Sequence, residues 1–138
     1  MQLKKKMKKN YPLIIANCDQ YLKWNSDNFI NFFKKNNYDG GFLTFKSKNK
    51  KNSFVKLNKN NYAIYLKEKK VISNHALVGV HYWKKTSFFF NSAKKYLKIR
   101  KNKEAFISET YNLLIKEKKK KKKNKKKLKN KKKKKNFN

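Results

Sequence analysis

The chain has 138 residues, enough for one domain or part of one, and its 38% hydrophobic and 15% aromatic residues allow a modest core. Its formal net charge is +34, and a single cysteine, Cys18, excludes an internal disulfide and a cysteine-based metal cage. No apolar stretch approaches the roughly 20 residues that cross a bilayer, and the run after Pro12 is too short for a signal peptide, so we expect a cytoplasmic protein.

The positive charge is unevenly distributed along the chain. The segment 116–138 contains 16 lysines and one glutamate. Because such a segment repels itself, it predicts a disordered, low-complexity tail. Clustered lysines attract polyanions such as RNA, but a coding sequence rich in A and T would also give this mixture of Lys, Asn, Ile, Phe and Tyr. Both explanations fit the composition.

The first half of the chain predicts a strand, a helix and a second strand. The apolar run Leu13 to Asn17 is typical of a buried strand in a parallel sheet. Ser26 or Asp27 can cap the following helix, whose apolar residues fall mostly on one face: Phe29, Ile30, Phe32 and Phe33. "NNYDGG" ends that helix, and "GFLTFKS" predicts a second buried strand.

The second half predicts a hairpin, a long strand and two helices. Phe54 to Leu57 and Tyr62 to Lys67 flank a turn. "HALVGVHYWKK" predicts a strand whose internal Gly79 indicates a bulge or a close approach by another group. Thr86 is the expected cap of a helix that runs to about Ile99, with an apolar stripe of Phe89, Ala93, Tyr96 and Leu97, and "SETYNLLIKE" is a last short helix.

This order of strands and helices predicts an α/β fold, with residues 1–115 forming the folded part and 116–138 the tail. The sheet is expected to be incomplete, with an exposed strand edge that favours aggregation. Asp19 directly follows the first strand, in a chain with only 7 acidic residues. In open α/β sheets ligands bind at the carboxyl ends of strands, so Asp19 is a candidate Mg²⁺ ligand on a nucleotide phosphate; it is equally compatible with a residue that caps the next turn.

Five segments in order resemble one enzyme family. They are "PLIIANCDQYLKW", "DGGFLTFKS", "SFVKL", "EKKVISNHALVGVHYWKK" and "NKEAFISETYN". Together, from Tyr11 to Ile115, they resemble the sugar-phosphate nucleotidyltransferases, especially the branch found in capsule and surface-polysaccharide gene clusters. The resemblance implies a Rossmann-like, GT-A-like nucleotidyltransferase domain. It also implies Mg²⁺-dependent transfer of a nucleotide from a nucleoside triphosphate to a sugar 1-phosphate, with release of pyrophosphate.

The resemblance also implies roles for individual residues. Asp19 would be the Mg²⁺ ligand, and Lys69, the second candidate catalytic residue, would neutralise phosphate. Glu68 would accept hydrogen bonds from sugar hydroxyls. Further residues implied are Asn17 and Gln20 beside the phosphate, Gly79 where space is left for the sugar ring, and Glu104 as a ligand of a second metal or of the sugar.

The family pattern is not complete in this sequence. The family begins with a glycine-rich nucleotide loop, whereas this chain has only Gly40, Gly41 and Gly79. We therefore expect a partial domain that is inactive alone and needs a partner chain with the N-terminal half. Two smaller departures are Ala105, where the family has an aromatic residue, and Glu109, where it has proline.

Two other functions compete with a nucleotidyltransferase. One is a non-catalytic basic protein that binds RNA or another polyanion through lysines and aromatic residues such as Trp24, Tyr82 and Trp83, although core packing also explains these rings. The other is a nucleotide-sugar-dependent glycosyltransferase, but "NCDQ" lacks the first Asp of an Asp-x-Asp motif. We interpret Cys18 as a small, semi-buried residue, and His75 and His81 as ordinary sheet residues rather than metal ligands.

Overall fold

The computed structural model of the chain describes residues 7–101 and 104–118. The strands are β1 (Leu13–Ala16), β2 (Gly40–Lys46), β3 (Ser53–Leu57), β4 (Ala63–Glu68) and β5 (His75–Trp83). The helices are α1 (Ser26–Lys35), α2 (Thr86–Ile99) and α3 (107–118). Helix α3 therefore continues three residues past the predicted start of the tail, and the rest of the predicted disordered tail lies outside the described residues.

Strand β5 is the centre of a five-stranded sheet in the described part of the chain. Strand β2 pairs with β5 along one edge, from Gly40 opposite Trp83 to Lys46 opposite His75. Strand β1 pairs with the carboxyl-terminal half of the other edge, and β3 joins that edge where Phe54 lies opposite Ala76. Strand β4 then pairs with β3. Each of these four pairings is antiparallel, so the prediction that β1 belongs to a parallel sheet was wrong.

The sheet lies between α1 on one face and α2 with α3 on the other, because alternate residues of β5 point to opposite faces. Tyr82 and Val80 pack with Phe29 of α1. On the opposite face, Trp83 and Leu77 form the larger core cluster with residues that include Leu13, Val55, Leu66 and Tyr111. The mixed α/β class that the sequence predicts is therefore present, with one helix above the sheet and two below it.

Strand β1 is less buried than a central strand would be. Leu13 is buried, but Ile14 is 38% exposed and Ala16 is exposed. Leu13 and Ile15 pack in the larger core cluster, whereas Ile14 and Ala16 point to the opposite face and are exposed. The expectation of a buried strand was therefore wrong for the residues on that face.

The helix starts differ from the predicted ones. Helix α1 is capped by Asn25, whose Oδ1 accepts a hydrogen bond from the backbone N–H of Asn28 at 2.8 Å. The residue before α2 is Lys85, which forms no side-chain cap. Thr86 instead donates its hydroxyl to the backbone oxygen of Tyr11 at 2.9 Å and ties α2 to the segment before β1. The cap of α1 therefore lies one residue before the first predicted candidate. The predicted cap of α2 makes a tertiary contact instead.

The apolar stripes of the helices are also only partly buried. In α1, Phe29 is buried but Phe32 is 56% exposed. In α2, Ala93 and Tyr96 are buried as predicted, whereas Leu97 is exposed and the buried phenylalanine is Phe90. The periodicity located the helices, but it did not select every core residue.

Candidate functional site

The end of β1 is fixed to β5 at Gly79. The backbone N–H of Asn17 donates to the carbonyl oxygen of Gly79 at 3.1 Å. Gly79 has a φ of +93°, a conformation that L side chains rarely adopt. A Cβ there would lie 2.3 Å from Nδ2 of the Asn17 side chain. The register of β2 on β5 is also interrupted here, between Phe42 and Thr44. Gly79 therefore provides both the bulge and the close approach that its position in the sequence predicts.

Strands β1 and β3 meet end to end on the same edge of β5. Asn17 lies beside Gly79, and Phe54 lies opposite Ala76. The carboxyl end of β1 and the amino end of β3 thus face each other across a short stretch of β5. The residues that follow β1, Cys18 to Gln20, are all exposed at this break in the edge. This position is accessible to a ligand.

The carboxyl end of β4 reaches the same break, because Glu68 pairs with Ser53, the first residue of β3. The Oε2 atom of Glu68 accepts hydrogen bonds from the hydroxyls of Ser53 and Ser108, the latter at 3.0 Å. These two serines hold the carboxylate between β3 and α3. Glu68 is thus a positioned acceptor at the end of the strand.

Lys69 and Glu104 form an ion pair next to Glu68. The Nζ of Lys69 lies 3.1 Å from Glu104 Oε2, and both side chains are more than half exposed. Lys69 has a φ of +51°, and its backbone N–H donates to the oxygen of Asn52 at 3.1 Å, so the chain turns sharply here. An exposed ion pair of this kind contributes little to stability, which leaves the ammonium free to exchange its partner.

The predicted site residues therefore form two groups. Asn17 contacts Gly79, with Asp19 and Gln20 next in the chain, and Glu68 and Lys69 lie at the end of β4 with Glu104. Strands β1 and β3 pair with the same edge of β5, and β4 pairs with β3. The second group therefore lies one strand farther from β5 than the first.

The carboxylates available for Mg²⁺ are few. Among residues 7–101 and 104–118, no group of three or more His, Cys, Asp or Glu side chains could enclose a metal ion. Mg²⁺ is commonly held by one or two carboxylates together with substrate phosphates. The exposed Asp19 fits that mode, whereas Glu104 has one oxygen engaged by Lys69.

Sequence reasoning missed a polar network between α3 and β4. Glu109 Oε1 lies 3.0 Å from Lys67 Nζ and accepts the backbone N–H of Glu68 at 3.3 Å, while Oε2 accepts the hydroxyl of Tyr96 at 3.0 Å. Asn112 accepts the N–H of Leu66 and donates to its oxygen, both at 2.8 Å. Helix α3 thus occupies hydrogen-bonding positions that a further strand would use on the outer edge of β4.

The pKa values of this network follow from its contacts. Burial alone would raise the pKa of Glu109, but the hydrogen bonds from Lys67, Tyr96 and the Glu68 backbone outweigh it and lower the pKa below 4.5. The hydrogen bond to Glu109 raises the pKa of Lys67. Burial, followed by the bond to Glu109, raises the pKa of Tyr96. The ion pair of Glu109 with Lys67 is therefore formed at neutral pH.

The remaining candidate residues lie in different environments. His81 is buried, stacks on Trp83 and Tyr111, and burial lowers its pKa to about 4. His75 lies at the other end of β5, with its Nε2 3.3 Å from Lys46 Nζ. Cys18 is exposed, so the expectation that it is semi-buried was wrong. Tyr82 and Trp83 are core residues, as the core-packing explanation predicts.

The fold of the described residues is similar to that of a solved enzyme structure. The solved structure of the nucleoside-diphosphate-sugar pyrophosphorylase from Vibrio cholerae RC9 is similar to it, with a TM-score of 0.67 and 18% sequence identity. The match covers 83% of this chain and 48% of that chain, so this chain spans about half the length of that protein. No protein-family model and no curated protein sequence matches the chain. In the part of the chain that the structure describes, the helices are too short or too polar to cross a membrane.

Proposed function

We propose that this chain forms the sugar-phosphate side of a nucleotidyltransferase. The reaction joins a nucleoside triphosphate and a sugar 1-phosphate into a nucleotide sugar. A phosphate oxygen of the sugar 1-phosphate forms a bond to the α-phosphorus, the bond from that phosphorus to the bridging oxygen breaks, and pyrophosphate leaves. The observation that carries the proposal is that the end of β1 faces the start of β3 on one edge of β5, with Glu68 of β4 paired to Ser53 at that start. The fold is similar to that of a nucleoside-diphosphate-sugar pyrophosphorylase.

The proposed role of the β1 end is to hold the phosphates. Asp19 would bind Mg²⁺, which when bound neutralises and aligns phosphate oxygens. Asn17 and Gln20 lie on either side of Asp19 in the chain and would donate their amides to phosphate or sugar oxygens. Because the amide of Asn17 fills the space where a Cβ of residue 79 would lie, the proposed role of Gly79 is to position Asn17 rather than to contact the sugar directly.

The proposed role of the β4 end is to hold the sugar and one phosphate charge. Both serine hydroxyls donate to Oε2 of Glu68, so Oε1 can accept from a sugar hydroxyl. Lys69 would turn its ammonium from Glu104 to the phosphate, because an exposed carboxylate competes weakly with a doubly charged phosphate. Glu104, once released, would accept from a sugar hydroxyl or bind a second Mg²⁺.

A second component would bind the nucleotide. A glycine-rich phosphate loop does not occur among the three glycines of this sequence. We assign the base and triphosphate to a partner chain that supplies this loop. The resemblance of the five sequence segments to the capsule and surface-polysaccharide branch supports a nucleotide sugar used for such polymers.

Calorimetry on the chain alone tests whether it binds a sugar 1-phosphate, and the partner chain is not needed for this experiment. A panel of hexose 1-phosphates is titrated with and without Mg²⁺, and inorganic phosphate measures non-specific attraction to the basic surface. We expect Mg²⁺ to strengthen binding of at least one sugar phosphate. Replacing Asp19→Asn should weaken that binding about tenfold, or about 1.4 kcal/mol.

Asp27→Asn is the matched control, because Asp27 is an exposed aspartate in the first turn of α1 and should leave binding unchanged. Equal affinity of wild type and Asp19→Asn would contradict the assignment. So would equal binding of inorganic phosphate and of every sugar phosphate.

A further inference from the structure

Aromatic rings form an exposed row near the end of α1. Phe32 is 56% exposed and Tyr62, in the turn before β4, is 51% exposed. Tyr38 lies between them, with ring centroids 5.8 Å from Phe32 and 6.0 Å from Tyr62. Exposed rings in contact with one another present apolar surface to solvent rather than to the core.

The row is anchored in the interior. Phe33 lies 5.3 Å from Phe32 and 6.1 Å from Tyr38, and it stacks on the buried ring of Tyr82 at 5.1 Å. A hydrogen bond with Tyr62 raises the pKa of the Tyr38 hydroxyl. These contacts hold the exposed rings in place, so a planar ligand meets a surface that is already formed.

Lysines and asparagines surround the rings. A shallow groove beside Phe32 is lined by Lys34 and Lys35, together with Asn28, Asn31 and Asn36. Lys84 donates to the side-chain oxygen of Asn37, the residue before Tyr38. The carboxylate that follows Tyr38, Asp39, is paired with Lys118. The charge around the rings is therefore positive, because the charge of the neighbouring Asp39 is neutralised by Lys118.

We propose that this surface, formed by Phe32, Tyr38 and Tyr62 with Lys34, Lys35 and Lys84, binds single-stranded nucleic acid. Bases stack on the exposed rings of Phe32 and Tyr62, and the lysines contact the phosphates. A duplex would keep its bases stacked on one another and away from the rings. Lysine binds phosphate as a point charge and without the bidentate geometry of arginine, so binding tolerates many sequences.

This inference is independent of the proposed enzymatic function. The surface lies on α1 and on the turn between β3 and β4, whereas the proposed sugar-phosphate site lies at the ends of β1 and β4. Neither Asp19 nor Glu68 contributes to it. The two proposals can therefore fail separately.

The test separates base stacking from simple charge attraction. Fluorescence anisotropy compares a short oligouridylate with an abasic oligomer that has the same number of phosphates, using the full chain. The lysine-rich segment 116–138 attracts both oligomers equally, so it cancels in the comparison. We expect the oligouridylate to bind about fivefold more tightly, because each stacked base contributes to affinity.

Substitutions then locate the stacking. Phe32→Ala and Tyr62→Ala should each reduce the preference for the oligomer with bases, whereas Phe45→Ala and Tyr65→Ala should not. Phe45 and Tyr65 are suitable controls, because they are 46% and 45% exposed and lie outside the row. Circular dichroism confirms that each variant is folded, and the two test variants change different elements, so one unstable variant does not prevent the test.

The lysines are tested by salt dependence. The double variant Lys34→Gln and Lys35→Gln should make the negative slope of log affinity against log salt concentration less steep by about 1.4, since each phosphate contact contributes about 0.7 on a single strand. Equal affinity for the two oligomers, or a preference that survives both aromatic substitutions, would overturn the proposal. Tighter, Phe32-dependent binding to phosphatidylserine vesicles would overturn it in favour of a membrane surface.

Discussion

The outer edge of β4 is covered by polar side chains of α3, whereas the end of β1 continues into four exposed residues, of which three are polar. On β4, both backbone polar groups of Leu66 bond to Asn112, and the N–H of Glu68 bonds to Glu109. At β1, Asn17 makes a backbone bond to Gly79 and Cys18 to Gln20 remain exposed. The outer edge of β4 is thus closed by the protein itself, and the end of β1 is open.

This difference indicates that the two regions have different roles: the edge of β4 stabilises the fold, and the end of β1 is the proposed binding region. The closed edge neutralises a surface that would otherwise pair with another strand, and its residues are already partnered. The open end of β1 carries the residues that we propose to bind Mg²⁺ and phosphate. We therefore expect substitutions under α3 to change the free energy of unfolding, and substitutions after β1 to change ligand binding.

The largest expected effect is the loss of Glu109. Glu109→Ala removes the acceptor for Lys67, Tyr96 and a backbone N–H, and should lower the free energy of unfolding by about 3 kcal/mol. Urea denaturation measures the change. The control is Glu104→Ala, which breaks the exposed pair with Lys69 and should cost less than about 0.5 kcal/mol. Equal effects of the two substitutions would show that the network under α3 stabilises the fold no more than an exposed ion pair does.

The next effect is a pH dependence from His81, which stacks on Tyr111 of α3. Its folded pKa of about 4 lies below the ordinary value of 6.5, so the unfolded chain binds the proton first as the pH falls. Stability should therefore decrease by about 2 kcal/mol between the ordinary pKa and about pH 5. In urea titrations, His81→Phe should flatten this slope and His75→Gln should retain it. A slope that persists in His81→Phe would assign the pH dependence to other groups.

A smaller effect is expected at Asn112. Asn112→Ala frees the N–H and C=O of Leu66, which water can then reach, so the free energy of unfolding should fall by about 1 kcal/mol. The exposed edge should also increase self-association, which sedimentation velocity would detect. Asn91→Ala, an exposed asparagine on α2, is the matched control. An unchanged sedimentation profile for Asn112→Ala would show that α3 does not protect the edge.

The smallest effect on stability is expected at the open end. Asp19→Asn and Gln20→Ala remove exposed side chains and should change the free energy of unfolding by less than about 0.5 kcal/mol. Urea denaturation again provides the measurement. A large loss of stability in either variant would mean that the loop after β1 has a structural role, and it would weaken its assignment to ligand binding.

Sequence patterns located most of the elements because hydrophobic periodicity is local. The helices at residues 26 and 86 and the strand with Gly79 were predicted within a few residues. The pairing direction of β1 was not, because an apolar run of four residues fits parallel and antiparallel neighbours alike. The role of Asn112 was also missed, since it depends on contact with Leu66, 46 residues away in the chain.

The candidate site was predictable only in part. Asp19 was predicted because acidic residues are rare in this chain. Gly79 was predicted because glycine is unusual inside a strand. Glu109 appeared in the sequence only as a departure from a family pattern, with no local signal for the buried pair that it forms with Lys67. The contact between Gly79 and Asn17 required the fold, because β1 and β5 are joined by more than 50 residues of chain.

The most direct test of the central proposal is an amide chemical-shift map of the chain during addition of a hexose 1-phosphate with Mg²⁺. We expect the amides of Asn17, Asp19, Glu68 and Lys69 to shift together and saturate with one dissociation constant. Shifts confined to lysines across the surface, also produced by inorganic phosphate and with no response at Asn17 or Asp19, would contradict it.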